Sequence, residues 1–171
     1  MEPVSPPVSH LISSCTKLAE GIFFTPSRGR LFVFHGHYGV GKTHAAKALV
    51  RWVNECNMKF PLDGRKLVDA WFYKWPEVID GFKSGNWDTT DAMMHHTLTV
   101  IDDIGAEHDP SKFGLDKLCQ TLSHRENRWT IVTTNVPPES WGERFDRRIE
   151  SRLIRNATLV DLTEAKDYST I

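Results

Sequence analysis

Gly36-His-Tyr-Gly-Val-Gly-Lys42-Thr43 is the stretch on which the fold turns. It spells G-x-x-x-x-G-K-T. The continuous apolar run Leu31-Phe-Val-Phe34 precedes it, and a helical pattern from Thr43 to about Asn57 follows, with Ala46, Leu49, Val50 and Val53 on one face. The glycines let the backbone curl so that successive N–H groups point at phosphate oxygens. The helix beginning near Thr43 adds the positive end of its dipole. Lys42 is then placed to reach the β- and γ-phosphates of a nucleotide, and the Thr43 hydroxyl to ligate Mg2+. A glycine-rich turn can match this pattern by chance, but here the strand before and the helix after supply the context that the motif demands. Gly36, His37, Tyr38, Gly39, Val40, Gly41 and the neighbouring His44 complete the expected cradle.

Outward from this loop the chain alternates between strand and helix. The spacing of Leu11, Ile12, Cys15, Leu18, Ala19 and Ile22 predicts a short amphipathic helix from Leu11 to about Phe23, after a proline-rich first ten residues expected to be poorly ordered. Pro61-Leu-Asp-Gly64 reads as a turn, Leu67 to Lys74 as a strand, and Pro76 to about Phe82 as a helix with proline in its first turn. Residues 84–96 show no period and read as a loop. Leu98 to Asp102 is a third strand, apolar enough to be buried on both faces. A helix over Lys112 to Glu126, a strand over Trp129 to Thr133, a helix from Pro138 to Arg155 broken near Gly142, and a strand over Thr158 to Leu162 complete the pattern. Such alternation predicts an α/β fold, a five-stranded parallel sheet sandwiched by helices.

Bulk properties bound the rest. A chain of 171 residues fits one domain with a core that needs no disulfide or metal. Hydrophobic residues at 40%, with 11 Gly and 9 Pro, exclude collagen, low-complexity and coiled-coil classes. With 21 basic and 22 acidic residues there is no global polycation to announce nucleic acid. The halves differ, however: residues 1–85 carry 11 basic and 7 acidic groups, and residues 86–171 carry 10 and 15. That split, with the arginines of 144–155, would suit subunits stacking unlike face to unlike face. Cys15, Cys56 and Cys119 lie far apart, as reduced thiols do. No apolar run approaches membrane-spanning length, and the N-terminus lacks the basic-then-apolar pattern of a signal peptide, so a cytoplasmic protein is expected.

Three further motifs carry chemistry. In Thr99-Val-Ile-Asp102-Asp103-Ile-Gly, a carboxylate at the end of a buried strand suits Asp102 to holding the Mg2+ of a nucleotide. Asp103 is then placed to polarise an attacking water, though an acid at such a turn also serves as a helix cap or a solvated group. Asn135, at the end of Thr133-Thr-Asn, suits hydrogen bonding to the γ-phosphate and that water, and equally suits starting an Asn-Val-Pro-Pro turn. Arg148 and Arg152, four apart, point the same way on a helix. They form either a solvated face paired with Glu143, Asp146 and Glu150, or a finger inserted into a neighbouring subunit's nucleotide. Trp71, Tyr73, Trp75 and Trp87 with Lys74 and Lys83 would suit a stacking surface for single-stranded DNA, although aromatic strands are more often buried. His35, His37 and His44 lack companions at metal-ligand spacing.

The ordered set HGHYGVGKTH, LTVIDDIGAE, TIVTTNV and RFDRRIESRL resembles the AAA+ ATPase core of DnaC/DnaI-type helicase loaders, with IstB-type transposition helpers and DnaA-type initiators as relatives. The resemblance covers about residues 11–165 and implies an ATP- and Mg2+-dependent ATPase that accompanies DNA replication. By it, Lys42 and Thr43 are Walker A residues, Asp102 and Asp103 Walker B, and Asn135 sensor 1. Arg148 and Arg152 occupy the arginine-finger box, Arg152 being the better candidate. It implies a replicative helicase as partner and head-to-tail self-association. The alternatives are a transposase partner, as for IstB, or a nucleotide-gated binding module with negligible turnover. Residues 1–28 are expected to form a short N-terminal segment, 29–165 the ATPase core without a helical lid, and 166–171 a tail. Loaders of this type usually carry a larger N-terminal helicase-binding domain, and many AAA+ proteins have Glu where this chain has Asp103. A superfamily-3 helicase shares the motif order, but the long separation between the two nucleotide motifs and the Ser-Arg-Leu box speak against it.

Overall fold

The computed structural model describes residues 6–24, 29–59, 68–85, 88–109, 111–155 and 157–167. Five strands form one parallel sheet: β1 (Leu31–His35), β2 (Ala70–Lys74), β3 (Leu98–Ile104), β4 (Trp129–Thr134) and β5 (Ala157–Asp161). Their order across the sheet is β2-β3-β4-β1-β5. Helices α1 (Pro6–Phe24), α2 (Lys42–Lys59), α3 (Trp75–Lys83), α4 (Asp88–His95), α5 (Phe113–His124), α6 (Trp141–Arg144) and α7 (Arg147–Arg155) connect and cover the strands.

Strand residues alternate between two cores, as the pleat requires. Phe32, Phe34, Val100 and Ile131 pack with Leu18 and Ile22 of α1 and with Ala46 and Val53 of α2. On the opposite side Val33, Ile101 and Val132 pack with residues of α3 to α7, among them Ile79, Leu118, Trp141 and Leu153. The amphipathic N-terminal helix is therefore part of the main core. The crossover after β1 runs to the far edge strand β2, whereas the connection after β4 places β5 on the other side of β1. Between β1 and β4 the order reverses, the point where open α/β sheets leave a crevice beyond the carboxyl ends of their strands.

Several sequence expectations change. The first helix begins at Pro6 rather than Leu11, because Pro6 and Pro7 fit a first turn that needs no N–H from them. Residues 84–96 are not all loop: Asp88–His95 is helical, with Asp88 and Asp91 in the first turn where the dipole favours acids. Eight residues with Met93 as the buried anchor are too few to display a period. The break expected near Gly142 falls instead at Phe145-Asp146, where Asp146 takes φ 75° and its carboxylate accepts the Arg148 and Ile149 N–H groups, capping α7. Gly142 lies inside α6. The third strand runs two residues past Asp102, and the second begins only at Ala70. The Pro61–Gly64 turn and Leu67 lie outside the described residues.

One buried cation ties the far end of the sheet together. Arg125, only 2% exposed, follows α5 and spends its donors on neutral acceptors. Its Nε donates to Thr130 Oγ1, Nη1 to the carbonyls of Met93 and His96, and Nη2 to the Trp129 carbonyl. Arg125 thus pins the end of α4 to the start of β4. An Arg125→Met variant keeps the apolar stem and leaves those carbonyls unpaired, so it should lose about 3 kcal/mol in urea unfolding. A loss under about 1 kcal/mol would remove this anchoring role.

Candidate functional site at the carboxyl ends of β1, β3 and β4

The loop between β1 and α2 has the backbone that its glycines permit. Gly36, Gly39 and Gly41 take φ values of 144°, 76° and 91°, and Gly41 O begins the helical hydrogen bonding by accepting from Ala45. A Cβ on Gly36 would lie 2.7 Å from the backbone carbon of Leu162, so the loop threads close against the end of β5. At Gly41 a Cβ meets nothing within 4 Å, leaving only the backbone conformation to require glycine.

Lys42 is 7% exposed, and its Nζ donates to the carbonyls of Gly36 (2.8 Å) and His37 (2.6 Å). Burial pulls its pKa down, while Asp103 and Asp102 pull the other way. Thr43 Oγ1 donates to Asp102, 2.9 and 3.2 Å from its two carboxylate oxygens. Asp102 is 2% exposed, and Thr133 Oγ1 also donates to it, at 2.7 Å.

Asp103 stands beside this pair at φ 61°, and Asn135 Nδ2 donates to its Oδ1 at 2.9 Å. Burial raises the Asp103 pKa above its ordinary 3.8, and the neighbouring Asp102 carboxylate raises it further. A carboxyl whose pKa is raised by burial and a like charge is a better proton acceptor than a free one.

The loop, Asp103 and Asn135 line one cavity of about 810 Å3, within the usual range for small-molecule sites. Tyr38, Gly39, Val40, Gly41, Lys42, Thr43 and His44 all contribute, while Gly36 and His37 lie at the base of the loop. Val8 and Leu11 of α1 supply an apolar wall. Sequence periodicity marked α1 as amphipathic, but nothing local says that its first turns reach the loop. A second cavity of about 520 Å3 shares Tyr38 and Asn135 and extends toward Arg144. Arg144 Nη2 donates to Gly105 O at 2.6 Å, and Glu107 accepts the Gly105 N–H at 2.7 Å, fixing the turn just beyond Asp103.

Arg148 and Arg152 are not among the residues lining either cavity. On α7, Arg148 pairs with Asp116 and Asp146, both at 2.9 Å, and Arg152 Nη1 donates to the Arg148 carbonyl. The expected aromatic surface does not form as one patch. Trp75 is fully buried, because it is the first residue of α3 and the turn into that helix carries it into the core, and Trp87 lies outside the described residues. Trp71 and Tyr73 instead stack with His96, which Asp69 and the Tyr73 hydroxyl hold by hydrogen bonds. Lys74 pairs with Glu77, and Lys83 with Asp80. No described helix is long and apolar enough to cross a membrane.

No family model matches the chain. It is 30% identical over 142 residues to a Bacillus thuringiensis subsp. berliner protein of insertion sequence IS232 that is named for ATP binding. The match covers 76% of this chain and 52% of that protein, so the chain spans about half the length of this curated relative. Among solved structures it superposes on the DnaC helicase loader with a TM-score of 0.72 at 19% identity, covering 94% of this chain and 93% of that one. For DnaI the TM-score is 0.75 at 18% identity, with 94% and 87% covered. For AMPPCP-bound DnaA from Aquifex aeolicus it is 0.70 at 14% identity, with 98% and 50% covered.

The fold is that of the DnaC helicase loader and DnaI structures. The five-stranded parallel sheet matches those neighbours, and the described residues carry no helical lid domain. Within this fold the loop glycines make separable demands. Gly36→Ala should destabilise the fold by roughly 3 kcal/mol, since it adds a backbone clash to an unfavourable φ. Gly41→Ala, with the conformational strain alone, should cost about 1–2 kcal/mol. Equal unfolding midpoints for the two variants would contradict the close approach to Leu162.

Proposed function

We propose that this chain binds ATP with Mg2+ at residues 36–43 and hydrolyses it as an AAA+ accessory protein of DNA replication, of the DnaC-like helicase-loader type, in the cytoplasm. One observation carries the reading: Thr43 Oγ1 and the Asp102 carboxylate face each other at 2.9 Å beneath a glycine loop bearing a buried lysine. A hydroxyl and a carboxylate are hard oxygen donors, the set that suits Mg2+. Thr43 and Asp102 would hold the ion, and bound Mg2+ would neutralise charge on the phosphate oxygens.

The remaining chemistry belongs to the chain. Loop N–H groups receive the phosphate oxygens, and Lys42 exchanges its two carbonyl partners for the β- and γ-phosphates. The adenine side of the nucleotide lies toward Val8 and Leu11. Asp103 Oδ1 polarises the attacking water and accepts its proton as the terminal phosphoryl group departs. Asn135, already bonded to Asp103, orients that water and the γ-phosphate. Arg152, on an exposed helix outside its own site, completes the neighbouring subunit's site in a head-to-tail assembly, with Arg148 beside it.

The 30% identity to the IS232 protein favours a second reading, a transposition helper whose partner is a transposase. The same core serves both, so the partner decides. A purified replicative helicase retained on the immobilised, ATP-loaded chain supports loading, and retention of a transposase instead supports the helper.

Two variants test the chemistry. Lys42→Ala should weaken ATP binding at least ~10-fold in calorimetry, because it removes the cation aimed at the phosphates. Unchanged affinity sinks the site assignment. Arg152→Ala should bind ATP normally and lose ~10³-fold in turnover at protein concentrations where subunits associate. Wild-type turnover at every concentration would remove the finger role, and absence of turnover in the wild-type chain itself would leave a nucleotide-gated binding module.

A further inference from the structure

Adjacent residues of a regular strand point to opposite faces of the sheet. Asp102 and Asp103 nevertheless serve one site: Asp102 bonds Thr43, and Asp103 lines the cavity above it. The register explains how. Ile101 pairs with Val132 and Ile104 with Thr134, so two residues of β3, Asp102 and Asp103, oppose the single residue Thr133 of β4. This is a β-bulge, rare between parallel strands. It places Asp103 at φ 61°, which asparagine and aspartate tolerate better than other side chains.

One hydroxyl spans the bulge. Thr133 is 1% exposed; its Oγ1 donates to Asp102 Oδ1 at 2.7 Å and accepts the Asp103 backbone N–H at 2.9 Å. A hydroxyl offers one donor and two acceptor positions, so a single side chain meets both requirements. Valine would fill the same volume and do neither.

We propose that Thr133 is a positioning residue, whose hydroxyl holds the bulge and thereby aims both carboxylates at one site. The consequence for ATP rests on the function proposed above, whereas the consequence for the bulge does not. Thr133 lines the same cavity as the loop, but its hydroxyl is spent on Asp102 and on the Asp103 backbone. It fixes the Asp102 rotamer through its proton and the Asp103 backbone through its lone pair.

The experiment compares Thr133→Val and Thr133→Ser with the wild-type chain in three measurements. Without ligand, amide exchange at 100–105 should quicken about tenfold in Thr133→Val, the loss of one buried hydrogen bond, while β1 stays protected. In titrations of a fluorescent ATP analogue, Thr133→Val should keep wild-type affinity without Mg2+ and lose ~10–100-fold of the gain that Mg2+ brings. Its kcat should fall by a similar factor with KM within about twofold. Thr133→Ser, which retains the hydroxyl, should restore all three. The proposal is overturned if Thr133→Val matches the wild type in amide exchange and in the Mg2+ gain, or if Thr133→Ser is as impaired as Thr133→Val. If the wild-type chain binds no nucleotide, the ATP reading fails, and the exchange measurement still decides the role of Thr133.

Discussion

Two carboxylates that follow one another on a buried strand cannot both face the same site without a break in the pleat. The bulge at Asp102-Asp103 is that break, and the site depends on it. With regular pairing, Asp103 would be turned into the opposite layer, among Ile101, Leu118 and Trp141, where an ionised group is costly. The left-handed turn instead leaves it half-buried beside Asn135. The next residues are held just as firmly, since Arg144 and Glu107 grip the two ends of the Gly105 peptide. The irregular backbone at Asp103 is thus supported on both sides.

The same cluster shows how buried charge is managed. Against the pull of burial, Asp103 and Asp102 raise the Lys42 pKa, and Asp102 raises that of Asp103 while Lys42 lowers it. Lys42 caps loop carbonyls, Asp102 receives two hydroxyl protons, and Asp103 takes an amide donor. The hydrogen-bond partners in this cluster are all neutral: two loop carbonyls, two threonine hydroxyls and one amide. Arg125 at the opposite end of the sheet has the same economy of neutral acceptors, and there the carbonyls of Met93, His96 and Trp129 let it join the end of α4 to β4.

Much of this was legible locally. The loop glycines, Lys42 and Thr43 predict the loop between β1 and α2 because the motif is contiguous and bounded by a strand and a helix. Runs such as Thr99–Ile101 and Thr130–Val132 read as buried strands because parallel strands are apolar on both faces. The reading failed where the signal was short or the partner remote. Helix α4 has too few residues to show a period, and Trp75 looked like its surface neighbours until the turn into α3 buried it. The cap on α7 needs the conformation of Asp146, which a search for glycine breaks overlooks.

The sequence by itself indicated the order of the strands and of every helix but α4, the glycine loop, and the acids and amide at the strand ends, since each is written within a few consecutive residues. Only the tertiary structure decided that α1 walls the cavity, that Arg148 also reaches Asp116, and that Thr133 spans the bulge. Those outcomes depend on strand register and helix packing between segments some 30 to 120 residues apart. Hydrogen bonds of that kind are selected by the geometry of the assembled sheet, and no local pattern of residues encodes them.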